Sequence, residues 1–149
     1  MALENEITSA LKDAMRAKDT LKLEALRAIK SALLLAKTQT GGTPELSEDD
    51  EIKLLQKLVK QRKESATIFR DQNRIDLAEP EEAQAQIIAA FLPEQLSEEQ
   101  ITAIIDDIIA TTGASSMKDM GQVIGMANQK MAGKADGKTI ATVVKQRLS

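Results

Sequence analysis

The stretch that decides the fold is Ser97-Glu98-Glu99-Gln100-Ile101-Thr102-Ala103-Ile104-Ile105-Asp106-Asp107-Ile108-Ile109. Five isoleucines in nine residues would suit a β-strand, but they recur at steps of three, one, three and one. That spacing places them on one face of an α-helix. Ser97 and Gln100 have the spacing of a capping box, in which both side chains satisfy amide groups at the helix start. The stretch therefore predicts a capped helix with one apolar face.

The same helical spacing runs through most of the chain. Its 149 residues are 42% apolar, with only three prolines and two aromatic residues, both phenylalanine. We therefore predict an all-α fold, with four helices before Pro93. They are expected near residues 3–17, 20–38 and 48–72, and from a first turn containing Pro80 to about 91–93. The loop Thr40-Gly41-Gly42-Thr43-Pro44 separates the second helix from the third, which Ser47 caps.

Three shorter helices are predicted after Pro93. Gly113 and Gly133 end the first two, while Ser116 and Asp136 are the expected caps of the second and third. Short helices are unstable alone, so these three are expected to pack as one module. The predicted domains are residues 1–93 and 94–149. The residues predicted to face the cores are Ile7, Leu11, Ala14, Met15, Leu23, Leu26, Ile29, Leu33, Leu55, Leu58, Val59, Ala66, Phe69, Ile87, Ile88, Phe91, Ile101, Ile104, Ile105, Ile108, Ile109, Met117, Met120, Ile124, Ala127, Met131, Ile140, Val143, Val144 and Leu148.

Residue types that usually carry catalysis are scarce. The chain has no histidine and no cysteine, which removes the usual general base near neutral pH and the common zinc ligands. Ser115-Ser116-Met117-Lys118 contains a Ser-x-x-Lys spacing, but Ser116 is better explained as a helix cap. The segment 133–139 resembles a phosphate-binding P-loop, yet it has three residues between its glycines where the motif needs four. We expect no catalysis by the chain alone, no cofactor and no metal.

The N-terminal segment and the apolar runs bear on location. Met1-Ala2-Leu3-Glu4-Asn5-Glu6 carries two acids and no apolar core of a signal peptide. No apolar run approaches the roughly 20 residues that a membrane-spanning helix needs. We therefore expect a cytoplasmic protein without a membrane partner.

Charge is unevenly distributed along the chain. Residues 1–74 have a net charge of +2, residues 75–116 contain nine acids and no base, and residues 117–149 have a net charge of +4. The basic residues form two constellations that suit phosphate groups. One surrounds the tail loop, with Gly133, Lys134, Asp136, Gly137 and Lys138, followed by Lys145 and Arg147. The other follows the long third helix, with Lys53, Lys57, Lys60, Lys63, Arg70 and Arg74.

Each constellation has a simpler interpretation. The tail loop fits a helix–helix corner with solvated lysines, and the long helix fits an ordinary solvated face that also carries Glu64. Arg62 differs because the helical rotation places it on the apolar side, where we predict a structural ion pair with an unidentified partner. Two phenylalanines on core faces leave no aromatic platform for stacking bases. Any nucleic-acid contact is therefore expected with the backbone of a folded RNA, without sequence-specific reading of DNA.

Five motifs in order make the chain resemble the YqeY-like proteins of the GatB/YqeY family. They are Lys60-Gln61-Arg62-Lys63-Glu64-Ser65, Arg74-Ile75-Asp76-Leu77-Ala78, Phe91-Leu92-Pro93-Glu94-Gln95-Leu96, Met120-Gly121-Gln122-Val123 and Gly133-Lys134-Ala135-Asp136-Gly137-Lys138. One departure is Lys134, which stands where the family pattern has arginine. Lysine keeps the charge but loses the planar, bidentate contact with phosphate.

The resemblance implies a helical domain followed by a module like the tail of the amidotransferase B subunit. That enzyme makes Asn-tRNA and Gln-tRNA by amidating misacylated tRNA with ammonia from glutamine, and its tail is associated with holding the tRNA. The resemblance links the chain to carbon–nitrogen ligases only through that enzyme, because 149 residues leave no room for its catalytic part.

Two functional hypotheses follow. The first is a non-catalytic tRNA-binding or accessory protein related to the amidotransferase. Its candidate nucleic-acid-binding residues are Gly133, Lys134, Asp136, Gly137, Lys138, Lys145 and Arg147 of the tail, with Lys60, Lys63 and Arg74 of the first domain. The second is an adaptor that binds amidotransferase subunits or other translation proteins without touching RNA, which the acidic segment 75–116 favours.

Overall fold

A computed structural model describes residues 2–39 and 46–149. All regular structure in those two ranges is helical, which confirms the predicted fold class. The helices are α1 (Ala2–Ala17), α2 (Thr20–Gln39), α3 (Glu48–Asp71), α4 (Ile75–Ala89), α5 (Glu98–Thr112), α6 (Met120–Lys130) and α7 (Gly137–Leu148), with a 3-10 turn at Met117–Asp119. The chain divides into two compact units, Met1–Leu92 and Pro93–Ser149. The predicted loop at 40–44 lies outside the described residues.

Helices α1 to α4 bury one apolar core in the first unit. The largest fully buried side chains are Ile7, Leu26, Ile29, Leu55 and Ile88. Leu11, Leu23, Leu58, Ile87 and Phe91 pack around them while keeping partial exposure. Met15 was predicted to face this core, but it is 58% exposed because α1 ends two residues later and Ala14 takes the buried position.

Two of the helix ends in this unit use a left-handed residue that is not glycine. Lys18 has φ 56° and Asn73 has φ 60°. At each end the following amide bonds back across the last turn, from Asp19 N to Ala14 O at 3.0 Å and from Arg74 N to Phe69 O at 2.7 Å. This is the Schellman pattern, in which asparagine is a usual substitute for glycine and lysine is an uncommon one. The reversal at Asn73 allows α4 to begin at Ile75, almost directly after α3.

Pro80 lies inside α4 and not in its first turn, so that prediction was wrong. The early start at Ile75 makes Pro80 the sixth helical residue, where its missing N–H leaves the carbonyl of Asp76 without a helical donor. Both residues are exposed, so water can satisfy that carbonyl.

Arg62 does not form the predicted ion pair within the described part of the chain. Its Nε donates to the side-chain oxygen of Gln84 at 3.1 Å, and one terminal nitrogen donates to the carbonyl of Leu58 at 3.3 Å. Gln84 in turn donates to Glu24 at 3.2 Å. A neutral amide therefore connects the guanidinium of α3 with the carboxylate of α2, and Arg62 has a structural role.

Two of the predicted helix-end signals of the second unit, Ser97 and Gly113, are confirmed. Ser97 Oγ accepts from Gln100 N at 3.1 Å, and Gln100 Oε1 accepts from Ser97 N at 2.9 Å, which completes the capping box. Gly113 ends α5 in the left-handed conformation, with φ 71°. The side chain of Ser116 accepts from Lys118 N at 3.4 Å, although it caps the 3-10 turn and not an α-helix.

The core of this unit lies among α5, α6 and α7. Its buried side chains are Ile101, Ile105, Ile108, Val123, Ala127, Met131, Ile140, Val143, Val144 and Leu148. Met117 was predicted to be inside but is 43% exposed, because it belongs to the 3-10 turn, where α-helical spacing does not apply. Val123 takes the buried position on α6 instead.

Candidate nucleic-acid interface

The tail loop turns sharply between α6 and α7. Helix α6 ends at Lys130, and Lys134 N donates to Met131 O at 2.9 Å, which closes a turn over residues 131–134. Gly133 has φ 76° within that turn, a conformation that L side chains rarely adopt. Glycine is therefore required there by the backbone, whatever the loop binds. Met131 is fully buried and anchors the loop, while the Lys134 side chain is exposed.

The segment just after Pro93 holds the loop in place. Leu96 N donates to Lys134 O at 2.9 Å, and Gln95 Nε2 donates to both Gly133 O at 2.8 Å and Pro93 O at 2.7 Å. Two motifs that are far apart in sequence therefore meet in the fold. Sequence reasoning assigned no role to Gln95 or Leu96, although their motif was one of the five that carried the family resemblance.

The start of α7 lacks the predicted side-chain cap. Asp136 occupies the N-cap position, but its side chain makes no capping hydrogen bond, so that part of the prediction was wrong. The first backbone bond of the helix runs from Ile140 N to Asp136 O at 3.0 Å. No capping side chain accepts from the amides of Gly137, Lys138 and Thr139, which point out of a helix N-terminus. Such amides, together with the helix dipole, suit an anion.

The basic residues of α7 lie on different faces. At 100° per residue, Lys138 and Lys145 share one side of the helix, opposite Ile140 and Val143, and both lysines are exposed. In the described part of the chain no carboxylate forms an ion pair with either lysine, nor with Lys134. These three are defined here as the tail lysines.

Arg147 is directed toward α5. Its Nε and one terminal nitrogen donate to the two oxygens of Asp106 at 2.7 and 2.8 Å. This bidentate contact raises the pKa of Arg147 and engages the fork that would otherwise bind a phosphate. The ammonium nitrogen of Lys130 lies 3.9 Å from a carboxylate oxygen of Asp107, which is also on α5. The two aspartates of α5 therefore each have a cationic partner within the second unit.

In the first unit, as in the second, the candidate lysines and arginines differ in whether they have an acidic partner among the described residues. Lys60 and Lys63 are exposed, without an acidic partner among the described residues. Arg74 donates to both carboxylate oxygens of Asp76, at 3.1 and 3.0 Å, and this contact lowers the pKa of Asp76. Arg70 makes the corresponding pair with Glu82, which raises the pKa of the arginine. These residues belong to a different unit from the tail lysines.

None of the described helices is long and apolar enough to cross a membrane. The predicted cytoplasmic location stays a prediction, since one relative described next carries a mitochondrial name.

Comparison with known proteins finds several relatives. The E-type component of the glutamyl-tRNA(Gln) amidotransferase of Thermococcus gammatolerans is 36% identical over 73 residues, which cover 46% of this chain but only 12% of that protein. An uncharacterised protein of Schizosaccharomyces pombe is 33% identical over 95 residues, 64% of this chain and 76% of that protein. Altered inheritance of mitochondria protein 41 of Clavispora lusitaniae is 35% identical over 91 residues, 61% of this chain and 52% of that protein.

The family described as Yqey-like protein matches residues 4–148, nearly the full length. The resemblance carried by the five motifs is thereby confirmed, and about half of the chain is similar to part of an amidotransferase. The chain belongs to the Yqey-like protein family.

Proposed function

We propose that this chain is a non-catalytic tRNA-binding protein that works as an accessory to tRNA amidotransferase. The observation that carries the proposal is the set of tail lysines, which are exposed and lack acidic partners among the described residues, with Lys145 in the last turn of α7 and Lys134 and Lys138 beside its uncapped start. A phosphate held there would accept hydrogen bonds from main-chain amides and contact ammonium groups, without any need to read a base. The similarity to an amidotransferase component supports tRNA as the polyanion.

The residues favour holding over catalysis. Without histidine or cysteine, the tail loop offers one carboxylate, Asp136, among lysines and main-chain amides. Those groups neutralise phosphate charge, whereas amide transfer from glutamine needs an activated nucleophile and a phosphorylated intermediate. Incubation of the pure protein with glutamine, ATP and Glu-tRNA is expected to give no Gln-tRNA.

The test is a tRNA binding titration at several salt concentrations with the intact chain and a Lys134→Ala/Lys138→Ala variant. Each phosphate contact contributes about 0.7–0.9 to the slope of log affinity against log salt. The variant should bind more weakly and lose roughly 1–2 from that slope. Equal and negligible retention of tRNA by both proteins at low salt would overturn the proposal.

A second candidate is an adaptor that binds a basic protein surface. It is favoured by α5, which carries Glu98, Glu99, Asp106 and Asp107 and no basic residue. Two of these acids are engaged by Arg147 and Lys130, and the two glutamates at the helix start are exposed. Association with purified amidotransferase before and after nuclease treatment separates the candidates. Binding that persists without RNA favours the adaptor, and binding that is lost favours the tRNA-binding protein.

A further inference from the structure

The middle of α3 concentrates positive charge. Residues 53–63 contain four lysines, one arginine and no acid, whereas the acids of this helix lie in its first turn and after residue 63. A surface helix usually intersperses both signs of charge. This segment is therefore strongly cationic in a chain whose net charge is −3, although the exposed Glu64 follows it on the same face.

The structure separates the arginine from the lysines. Arg62 is partly buried and bonds Gln84, while Lys53, Lys57, Lys60 and Lys63 are all exposed. Helical rotation places these four lysines within an arc of about 120°, away from the buried Leu55 and Val59. At 1.5 Å per residue they extend over about 15 Å of the helix. We call these four residues the lysine stripe.

The lysine stripe is unfavourable for the helix that carries it. Lys53 and Lys57 are four residues apart, and the other neighbouring pairs are three apart, so each pair repels on the helix surface. Within the described residues no carboxylate forms an ion pair with any of the four. By contrast, Arg70 and Arg74 of the same unit each bind a carboxylate through two nitrogens. The repulsion among the four lysines is offset in part by Asp49, four residues before Lys53, and by Glu64, four residues after Lys60, whereas Lys57 has no acid three or four residues away.

We propose that the lysine stripe is a second RNA-contacting surface, located in the first unit, which binds the phosphate backbone of a structured RNA. This inference rests on the proposed function, because it gives the protein a second site for the same class of ligand. The other side chains within this arc are polar, namely Gln56, Glu64 and Thr67. A protein partner would need an aromatic or aliphatic anchor at the centre of its interface, and this face offers none. A polyanion needs only the ammonium groups.

The experiment compares four intact proteins with two probes. The proteins are the wild type, a stripe variant (K53Q/K57Q/K60Q/K63Q), a tail variant (K134Q/K138Q/K145Q) and a control variant (K12Q/R16Q/R27Q/K30Q). The control removes four exposed charges from the same unit, on α1 and α2. Glutamine has nearly the helix propensity of lysine, so folding should be kept, and circular dichroism checks it. The probes are tRNA and a short blunt-ended RNA duplex, titrated at several salt concentrations.

The stripe variant is expected to bind both probes roughly tenfold or more weakly than the control variant at low salt, with a salt slope lower by about 2–3. Equal affinities of the stripe and control variants would overturn the inference, whether both match the wild type or both fall together. The tail variant separates the two claims. If it matches the wild type while the stripe variant is weakened, the proposed tail site is wrong and the stripe stands. If only the tail variant is weakened, the stripe is wrong and the tail site stands.

Discussion

Helix α3 of the first unit and helix α7 of the second carry positive charge in different settings. Helix α3 has acids in its first turn and lysines along its middle, and its arginines Arg62 and Arg70 bond side chains of α4. Helix α7 has no acid at all, and its arginine reaches the acidic helix α5. In both helices the planar guanidinium is used for bidentate or partly buried contacts inside a unit, while the lysines face outward. In α3 and α7, therefore, the arginines Arg62, Arg70 and Arg147 make contacts within their own unit, and the lysines are left exposed.

The largest expected effect is a loss of stability from core substitutions, which test whether the two units unfold independently. Ile140 is 1% exposed in the core of the second unit, and Ile29 is fully buried in the first. Each isoleucine replaced by alanine should cost about 2–5 kcal/mol, because a cavity is left behind. Amide hydrogen exchange should show that Ile140→Ala accelerates exchange in α5 to α7 and leaves α1 to α4 protected. Ile29→Ala should do the reverse, and equal loss in both units from either variant would contradict this division.

A smaller effect concerns a difference between the cores. Glu51 of the first unit is only 9% exposed, and its Oε2 has no hydrogen-bond partner among the described residues, whereas the described buried residues of the second unit are apolar. Burial, with the nearby charge of Glu48, raises the pKa of Glu51 above its ordinary value of 4.5. A raised pKa means that the folded state favours the neutral acid. The contribution of neutral Glu51 to the stability of the folded protein is present in full below pH 4.5, the ordinary pKa of the group. It is lost as the pH rises through the raised pKa of the folded state.

Glu51→Gln should therefore stabilise the protein at pH 7 by about 1 kcal/mol, since the amide never ionises. The gain should shrink as the pH falls toward 4, where Glu51 of the wild type becomes neutral. Urea unfolding monitored at pH 7 and pH 4 checks this. Asp49→Asn, at an exposed position in the same first turn, is the matched control. A variant that is equally stabilised at both pH values would show that the ionisation of Glu51 is not the cause.

The smallest effect sharpens the comparison of arginine with lysine. Arg147 and Asp106 are both substantially exposed, at 49% and 40% of their side chains, so their ion pair makes only a small contribution to stability. Arg147→Gln should lower the unfolding free energy by no more than that and change tRNA affinity little. Lys145→Gln, two residues earlier, should leave stability unchanged and weaken tRNA binding. The reverse order of binding defects would mean that Arg147 leaves Asp106 to bind RNA.

Much of the fold was predictable because local signals agreed with tertiary packing. The isoleucine spacing, the capping box of Ser97 and Gln100, and the glycine at position 113 all indicated α5 correctly. The errors occurred where local and tertiary preferences differ. Pro80 is a typical first-turn residue, but the reversal at Asn73 moved the start of α4 five residues upstream. Asn73 itself was the overlooked signal, since asparagine readily adopts the left-handed conformation.

The candidate site was less predictable than the fold. Sequence identified the basic residues, but it did not distinguish Lys138 and Lys145 from Arg147, because the pairing depends on where α5 places Asp106. The contacts of Gln95 and Leu96 with the tail loop depend on tertiary structure for the same reason. The partner of Arg62 is an amide on another helix, and no pattern within α3 indicates it.

If the uncapped start of α7 holds a tRNA phosphate, as we propose, two helix starts in the second unit should respond differently to tRNA. The amides of Gly137 and Lys138 have no capping side chain, whereas Gln100 N at the start of α5 already donates to Ser97 Oγ. Amide proton and nitrogen NMR shifts of the intact chain should be followed as tRNA is added. We expect large, saturable and salt-sensitive changes at Gly137 and Lys138 and small ones at Glu99 and Gln100. Equal changes at both helix starts, or none at Gly137 and Lys138 while tRNA is bound, would contradict the proposal.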